Sequence, residues 1–402
     1  MESPRLPANP FRWNQWRTNA AGLLAGVVAG FLLAVLLGYQ ASRYSKPSNF
    51  VRFQQWINAQ TIFFPPFRML EHLALARWRP GQTVVIVGGN SIFNGVSQRP
   101  PEIWTRRLQE LLGPEKYVVV NLAFGGGGPT EGGALVAEAL LRRGIPVLLV
   151  DSMGTGTPPP PIGSVYGYYY WEAKAQGALL PSPAREARLA QYLAHVSEGS
   201  RRKEEELRQA AYLNAHLYFQ ELWHDVGLHS LFTVWNYETQ GNFWRPRDEW
   251  PDPELPPKPM NVRFQDRIET EVEITRGFTI LLGRRDASGQ WGLDPAVEAE
   301  MRAQIRAMFP DALRPRMLMI LCQNAPVYRR RFTPDERARD EAVWRNCAAV
   351  WREEGIACAI NGLDFEDADY NDRTHLAPSG GYKLAALVAA EIRKLNPAPP
   401  AP

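Results

Sequence analysis

Cysteine is scarce in this chain, with three thiols, Cys322, Cys347 and Cys358, among 402 residues. An odd number without metal-ligand spacing excludes a disulfide framework as the organising device and a cysteine metal cluster as the site. Cys322 closes one apolar run and Cys358 opens another, so both read as core thiols. Histidine is sparse too, six in all. His195, His216, His224 and His229 make no metal-type pattern, and His224 and His229 are too poorly spaced to share one helical face. Charge of one sign is also missing. The formal net charge is +3, and Arg and Lys are scattered among acids, which offers no nucleic-acid surface. The glycine run Gly125–Gly128 lacks the Lys-Ser/Thr ending of a P-loop and the spacing of a dinucleotide fingerprint. No metal or cofactor is expected.

Long apolar runs are absent but for one. Ala20 to Tyr39 carries no charged side chain and is rich in Leu, Val, Ala and Gly. At about 1.5 Å per residue, some twenty residues cross a hydrocarbon core of about 30 Å, so residues 20–39 are expected to span a membrane after an N-terminal segment, 1–19. The run exceeds the apolar region of a signal peptide and no small-x-small cleavage site follows it, which favours an uncleaved anchor. Arg5, Arg12 and Arg17 before it nearly balance Arg43, Lys46 and Arg52 after it, so charge leaves orientation open. Residues 40–81, with Phe53, Trp56, Phe63, Phe64, Phe67 and Trp78, read as a stalk and lead-in. Leu70–Arg77 suits one short helix, with His72 on its surface.

From Gln82 strands and helices alternate. Thr83–Val87, Tyr117–Leu122 and Pro146–Val150 read as strands, with helices over Pro101–Leu112 and Thr130–Arg143 between them. After residue 314 the alternation resumes with strand Arg316–Cys322, helix Pro334–Glu354, strand Ile356–Ile360 and a last apolar helix, Tyr382–Leu395. This order implies a five-stranded parallel sheet with helices on both faces. Ligands bind beyond the carboxyl ends of such strands, where Ser91, Gly125–Gly128 and Asp151–Gly156 would share one rim. The α/β unit thus comprises residues 82–156 and 315–395, followed by a proline-rich tail, 396–402. Between its halves lies a mainly helical insertion, 157–314. It includes a long helical section from Pro183 to about Val226 whose charged run Arg201–Glu206 reads as a solvated face. Tyr166–Trp171 and Trp223, Trp235, Tyr237, Phe243, Trp244 and Trp250 make the insertion aromatic, as a lid or sugar-stacking platform would be, or as a core would be.

Two short stretches carry the chemistry. In Gly88-Gly89-Asn90-Ser91, a serine stands where a buried strand gives way to a helix, so its hydroxyl can rise above the sheet edge beside free helix N–H groups. The same residues also suit a turn in which Ser91 is merely the helix cap. In Asp372-Arg-Thr-His375, an acid three residues before a histidine can orient the imidazole while its other nitrogen faces the serine. The intervening glycines would let main-chain N–H groups approach a reacting carbonyl.

With Gly89-Asn90-Ser91-Ile-Phe-Asn-Gly95, Asn121-Leu-Ala-Phe-Gly-Gly126 and Asp372-Arg-Thr-His375 followed by Gly381-Tyr382, the chain resembles the SGNH (GDSL-like) hydrolase superfamily. Asn90 stands where the usual pattern has Asp. The resemblance implies a flavodoxin-like three-layer α/β/α fold, Ser91 as nucleophile, His375 as general base and acid, and Asp372 as its orienting partner. It implies oxyanion donors from the backbone N–H of Ser91 and of Gly126, or Gly125 in a register one residue earlier, with Asn90 and Asn121 in support. Gly156 occupies the place of the usual third-motif asparagine, so a side-chain oxyanion donor is missing there. An anchored domain of this kind with a large insertion looks like the cell-envelope acyl-transfer proteins. That likeness implies residues 40–402 outside the cytoplasm, an ester or glycan substrate, and a multispanning membrane acyltransferase as acyl donor. Serine acyl transfer or ester hydrolysis on an envelope polysaccharide is the leading expectation. A non-catalytic glycan-binding scaffold and a lipase-like esterase acting on membrane acyl chains are the alternatives.

Overall fold

The strand-forming runs pair as the alternation predicts. A computed structural model of the protein describes residues 13–44, 55–56, 62–63, 65–98, 100–125, 128, 132–153, 167–224, 226 and 268–395. In it, β1 (Thr83–Val87), β2 (Tyr117–Asn121), β3 (Val147–Met153), β4 (Met317–Cys322) and β5 (Ala357–Asn361) form one sheet in the order β2-β1-β3-β4-β5. Every neighbouring pair is parallel. The chain reverses its direction of winding between β1 and β3, which opens a crevice at their carboxyl ends.

The described helices of at least one turn with defined bounds are α1 (Trp13–Tyr44), α2 (Phe67–Arg77), α3 (Ser91–Asn94), α4 (Trp104–Leu112), α5 (Gly132–Arg142), α6 (Gly167–Ala175), α7 (Pro183–His195), α8 (Glu198–Leu217), α9 (Ile268–Leu282), α10 (Pro295–Met308), α11 (Pro326–Arg329), α12 (Pro334–Glu353) and α13 (Pro378–Lys394). Strand periodicity divides β1 between two cores. Val84 and Ile86 belong to the core that also takes side chains of α2, α5 and α12, whereas Val85 and Val87 belong to the one that takes side chains of α4 and α13. All four are fully buried, and each contributes about 1.5–3 kcal/mol by leaving water. α12 starts where the sequence stops it from starting earlier: Pro334 fits the first turn, and Thr333 and Glu336 form a reciprocal capping box.

Several boundaries differ from the sequence expectation. β3 runs on through Asp151, Ser152 and Met153, because these residues pair with Met319, Ile320 and Leu321 of β4, so they are buried sheet and not rim loop. α2 begins at Phe67 and buries Phe67, Leu70, Leu73 and Ala74 in the first core, so it is part of the α/β layers and not a stalk. The section from Pro183 breaks at Val196–Ser197, where Ser197 caps α8, and again at Tyr218, whose φ of 57° is left-handed. Within the charged run Glu204 turns inward and accepts a hydrogen bond from Trp171 Nε1 at 2.7 Å. Gly283–Arg285 and Trp291–Leu293 pair as a hairpin inside the mainly helical insertion.

Insertion helices share the first core with the sheet through Tyr169, Tyr170, Trp171, Leu189, Met301, Ile305 and Phe309. Arg185 of α7 reaches Glu138 of α5 at 2.6 Å, both side chains buried. The Tyr169–Trp171 aromatics are therefore core. Trp235, Tyr237, Phe243, Trp244 and Trp250 lie outside the described residues. Burial pushes the thiols of Cys322, Cys347 and Cys358 up to about 12, so none is a thiolate at neutral pH.

Among the described residues one helix, over Arg17–Ser42, is long and apolar enough to cross a membrane. Its apolar window is not buried against the rest of the chain.

Candidate functional site

The serine loop is built by small residues on a buried floor. Gly89 has a φ of 92°, and a Cβ there would lie 2.4 Å from Ser152 Oγ and 2.8 Å from Asp151 Oδ1. Only glycine fits both the conformation and the space. Asp151 Oδ1 accepts from the Ser152 N–H at 2.7 Å, and Ser152 Oγ accepts from the Asn90 N–H at 3.4 Å. The end of β3 thus supports the turn from beneath.

Asn90, not Ser91, caps α3, its Oδ1 accepting from the Ile92 N–H at 3.0 Å. The reading of Ser91 as a mere cap therefore fails. As the first helical residue, Ser91 has its hydroxyl free for another partner. α3 is a single turn ended by Gly95 in the left-handed region, so any field at its N-terminus comes from one turn of peptide dipoles.

Ser91 Oγ lies 2.8 Å from His375 Nε2, and His375 Nδ1 lies 2.7 Å from Asp372 Oδ2. The remaining Asp372 oxygen, Oδ1, accepts from the backbone N–H groups of Thr374 at 2.9 Å and His375 at 2.8 Å. Burial alone would raise the Asp372 carboxyl, but the His375 side chain and these two N–H groups outweigh it and hold it at about 2. An ionised carboxylate only accepts, so Nδ1 must carry the proton facing it. In the neutral imidazole Nε2 is then the acceptor, and the serine hydroxyl donates to it. That is the tautomer a general base needs.

The histidine loop is fixed at both ends and along its side. Tyr370 and Leu376 form an antiparallel bridge, the Asn371 N–H donates to the His375 carbonyl at 2.8 Å, and the Ala325 N–H donates to the Arg373 carbonyl at 2.9 Å. Two links tie it to the serine loop: Asn371 Nδ2 donates to the Ser97 carbonyl at 3.0 Å, and Gln98 Nε2 reaches the Leu376 and Ala377 carbonyls at 3.4 Å. Gln98 also accepts from the Trp104 N–H at 2.9 Å and sits where a Cβ on Gly381 would be 2.2 Å from its Nε2. Sequence reasoning missed Gln98 and the role of Asn371. Neither sits in a patterned position, and their contacts span more than 270 residues.

The other expected site residues fall into two groups. Asn121 is fully buried, its Oδ1 accepting from the Ala123 N–H at 3.1 Å and its Nδ2 donating to the Phe93 carbonyl at 3.4 Å. It shapes the loop after β2 together with Asn94, which donates to the Ala123 carbonyl at 2.7 Å. Gly125 is exposed at the end of that loop, and Gly126 and Gly156 lie outside the described residues. Among the described residues no group of three or more His, Cys, Asp or Glu could hold a metal ion.

Fold and site together define an open parallel α/β sheet carrying a hydrogen-bonded Ser–His–Asp chain beyond its carboxyl edge. No protein-family model matches the sequence, and no curated protein matches it significantly.

Proposed function

We propose that the protein is a membrane-anchored serine acyl-transfer enzyme of the SGNH type, acting on an ester of a cell-envelope polysaccharide or glycan. The unbroken chain from Ser91 through His375 to an ionised Asp372 carries this reading. A scaffold that had abandoned chemistry has no need to keep an imidazole in one tautomer and aimed at a serine.

In the first half-reaction Ser91 Oγ attacks the ester carbonyl while its proton passes to His375 Nε2, general-base assistance worth typically about 10²–10⁴-fold. The tetrahedral oxyanion is expected to take the backbone N–H of Ser91 and, as the resemblance implies, that of Gly126 or Gly125. Collapse breaks the ester C–O bond, and His375 returns the proton to the departing alkoxide. In the second half-reaction water or a sugar hydroxyl gives its proton to His375 and attacks the acyl carbonyl; the acyl C–Oγ bond then breaks and His375 returns the proton to Ser91 Oγ. Asp372 stabilises the imidazolium formed in each half without itself taking the proton. With Gly156 in place of an asparagine, the oxyanion relies on backbone donors; one missing side-chain donor typically costs about 2.7–4 kcal/mol of transition-state stabilisation.

The apolar Arg17–Ser42 helix supports anchoring; the placement of residues 40–402 outside the cytoplasm and a multispanning membrane acyltransferase as the source of acyl groups follow from the resemblance alone. To test the reading, the full chain in detergent is incubated with an activated acetyl ester and an organophosphonate, and its peptides are mapped by mass. An adduct on Ser91, lost together with turnover in Ser91→Ala, is the expected result. Labelling elsewhere, or turnover unchanged in Ser91→Ala, overturns it.

A further inference from the structure

Past the end of α8 the chain turns sharply at Tyr218 and continues as a short helical segment, residues 219–224, with Val226 beyond. Phe219, Trp223 and Val226 are spaced i, i+4 and i+7, which places them on one helical face. In a water-soluble protein that face would point inward. Here it points outward: Trp223 is 73% exposed, Val226 50% and Phe219 38%. The inward side is instead polar, with Glu221 fully buried and His224 only 5% exposed. Glu221 accepts from Asn214 Nδ2 at 3.2 Å and faces Arg68 at 3.8 Å. Turning Trp, Phe and Val to water while burying Glu reverses the usual sorting and forfeits about 1.5–3 kcal/mol for each large apolar side chain.

The position of the segment explains the reversal. Tyr218 packs edge-on against Tyr39 of α1 at 5.3 Å between ring centroids, and its carbonyl oxygen lies where a Cβ on Gly38 would be only 2.3 Å away. Phe219 packs edge-on against Phe31 at 5.7 Å. Phe31 is eight residues back from Tyr39, or about 12 Å deeper along the apolar helix. The segment therefore runs beside the part of α1 that is suited to hydrocarbon. Near the carboxyl end of that helix, a polar cavity of about 560 Å³ is lined by Tyr39, Ser42, Arg68, His72, Arg142 and Arg143, with Glu71 bridging Arg143 at 2.8 Å. Arginines and a tyrosine are gathered there, as at the headgroup level of a bilayer that α1 would span.

We propose that residues 218–226 form a second membrane contact: Phe219, Trp223 and Val226 enter the acyl region of the leaflet beside α1, and the arginine-lined cavity meets the phosphate layer. The inference rests on α1 spanning the membrane. Two contacts would fix the rotation of the α/β domain about α1, which a single helix leaves free, and so set the height and direction in which the Ser91 rim faces.

The test uses the full chain reconstituted in phosphatidylcholine–phosphatidylglycerol vesicles. A polarity-sensitive fluorophore is attached in turn to Trp223→Cys, Val226→Cys, Leu32→Cys on the exposed apolar face of α1, and Arg202→Cys on the solvated face of α8. Each variant is first checked for the parent's thermal unfolding midpoint, and positions 223 and 226 each report the same face should the other perturb folding. Positions 223 and 226 are expected to match position 32, with blue-shifted emission quenched by spin-labelled lipid, while position 202 is quenched by aqueous iodide. If position 32 is in lipid but 223 and 226 behave like 202, the second contact is overturned and the spanning helix stands. If position 32 also behaves like 202, the spanning helix falls and the second contact with it.

Discussion

Asp372 and Glu172 are carboxylic acids in two different settings, and the structure drives them in opposite directions. Asp372 sits on the rim loop, and Glu172 is fully enclosed in α6. Burial raises both, yet Asp372 is held at about 2 and Glu172 is pushed to about 8. The difference is the supply of donors. Asp372 accepts from the His375 ring and from two backbone N–H groups, whereas Glu172 accepts from the Phe67 N–H at 2.7 Å, with the Glu221 carboxylate nearby opposing its ionisation. The rim keeps a charge for use, and the buried setting of α6 suppresses one.

The largest effect expected from breaking this contrast is at the rim. Asp372→Asn removes the charge that fixes the His375 tautomer and should lower acyl-adduct formation on Ser91 by on the order of 10⁴-fold with little change in the unfolding midpoint, read by burst kinetics and calorimetry. An intact burst would mean that the imidazole is oriented by something else.

Glu138, a third buried acid, has a cation of its own in Arg185. Arg185→Ala should destabilise the protein by about 3–5 kcal/mol, because it leaves a buried carboxylate alone. A denaturant midpoint near the parent's would show that α7 contributes little to holding the insertion on the sheet.

For Glu172 the sign follows from its raised value. Below its ordinary value of 4.5 both folded and unfolded chains hold the proton, and the group is neutral to stability. As pH rises toward about 8 the unfolded chain alone releases it, so folding is progressively disfavoured. Glu172→Gln should therefore stabilise the fold at pH 8 but not at pH 4, by on the order of 2–4 kcal/mol, read from denaturant unfolding at each pH. Asp372 gives the reverse dependence: its contribution is present above its ordinary value of 3.8 and is lost as pH falls through about 2. A pH-independent gain in Glu172→Gln would place the acid's charge elsewhere.

The smallest effect sharpens the comparison. Gln98→Ala removes one of the two ties between the serine and histidine loops without touching Ser91, His375 or Asp372. It should cost about 1–2 kcal/mol of stability and lower kcat by about tenfold with KM unchanged, since a looser Oγ–Nε2 contact affects the reaction and not substrate capture. A change in KM alone would assign Gln98 to substrate binding.

Much of the sheet was legible because its strands are buried on both faces. Val84–Val87 and Met317–Cys322 have no polar alternation to confuse with an amphipathic helix, and the intervening helical periods force parallel pairing. The serine and the Asp-x-x-His pair were legible as residue types at marked places. Less legible were the ends of elements. Nothing in Asp151-Ser152-Met153 says strand; pairing with β4 makes it one. Similarly, Asn90 and Ser91 are both good capping residues, and only the backbone places the cap on Asn90 and frees Ser91. The charged run at 201–206 reads as uniformly solvated until Trp171 is seen to donate to Glu204.

By itself the sequence determined the parallel α/β layers, the apolar N-terminal helix and the pair of short motifs, because these are written in local period, length and composition. Tertiary structure alone decided that Ser91 and His375, 284 residues apart, stand within hydrogen-bonding reach. It also decided which of many acids stay charged and which side of residues 219–226 faces outward. Those outcomes depend on which groups are brought together and how far water is excluded from them, and neither is a property of any single stretch of chain.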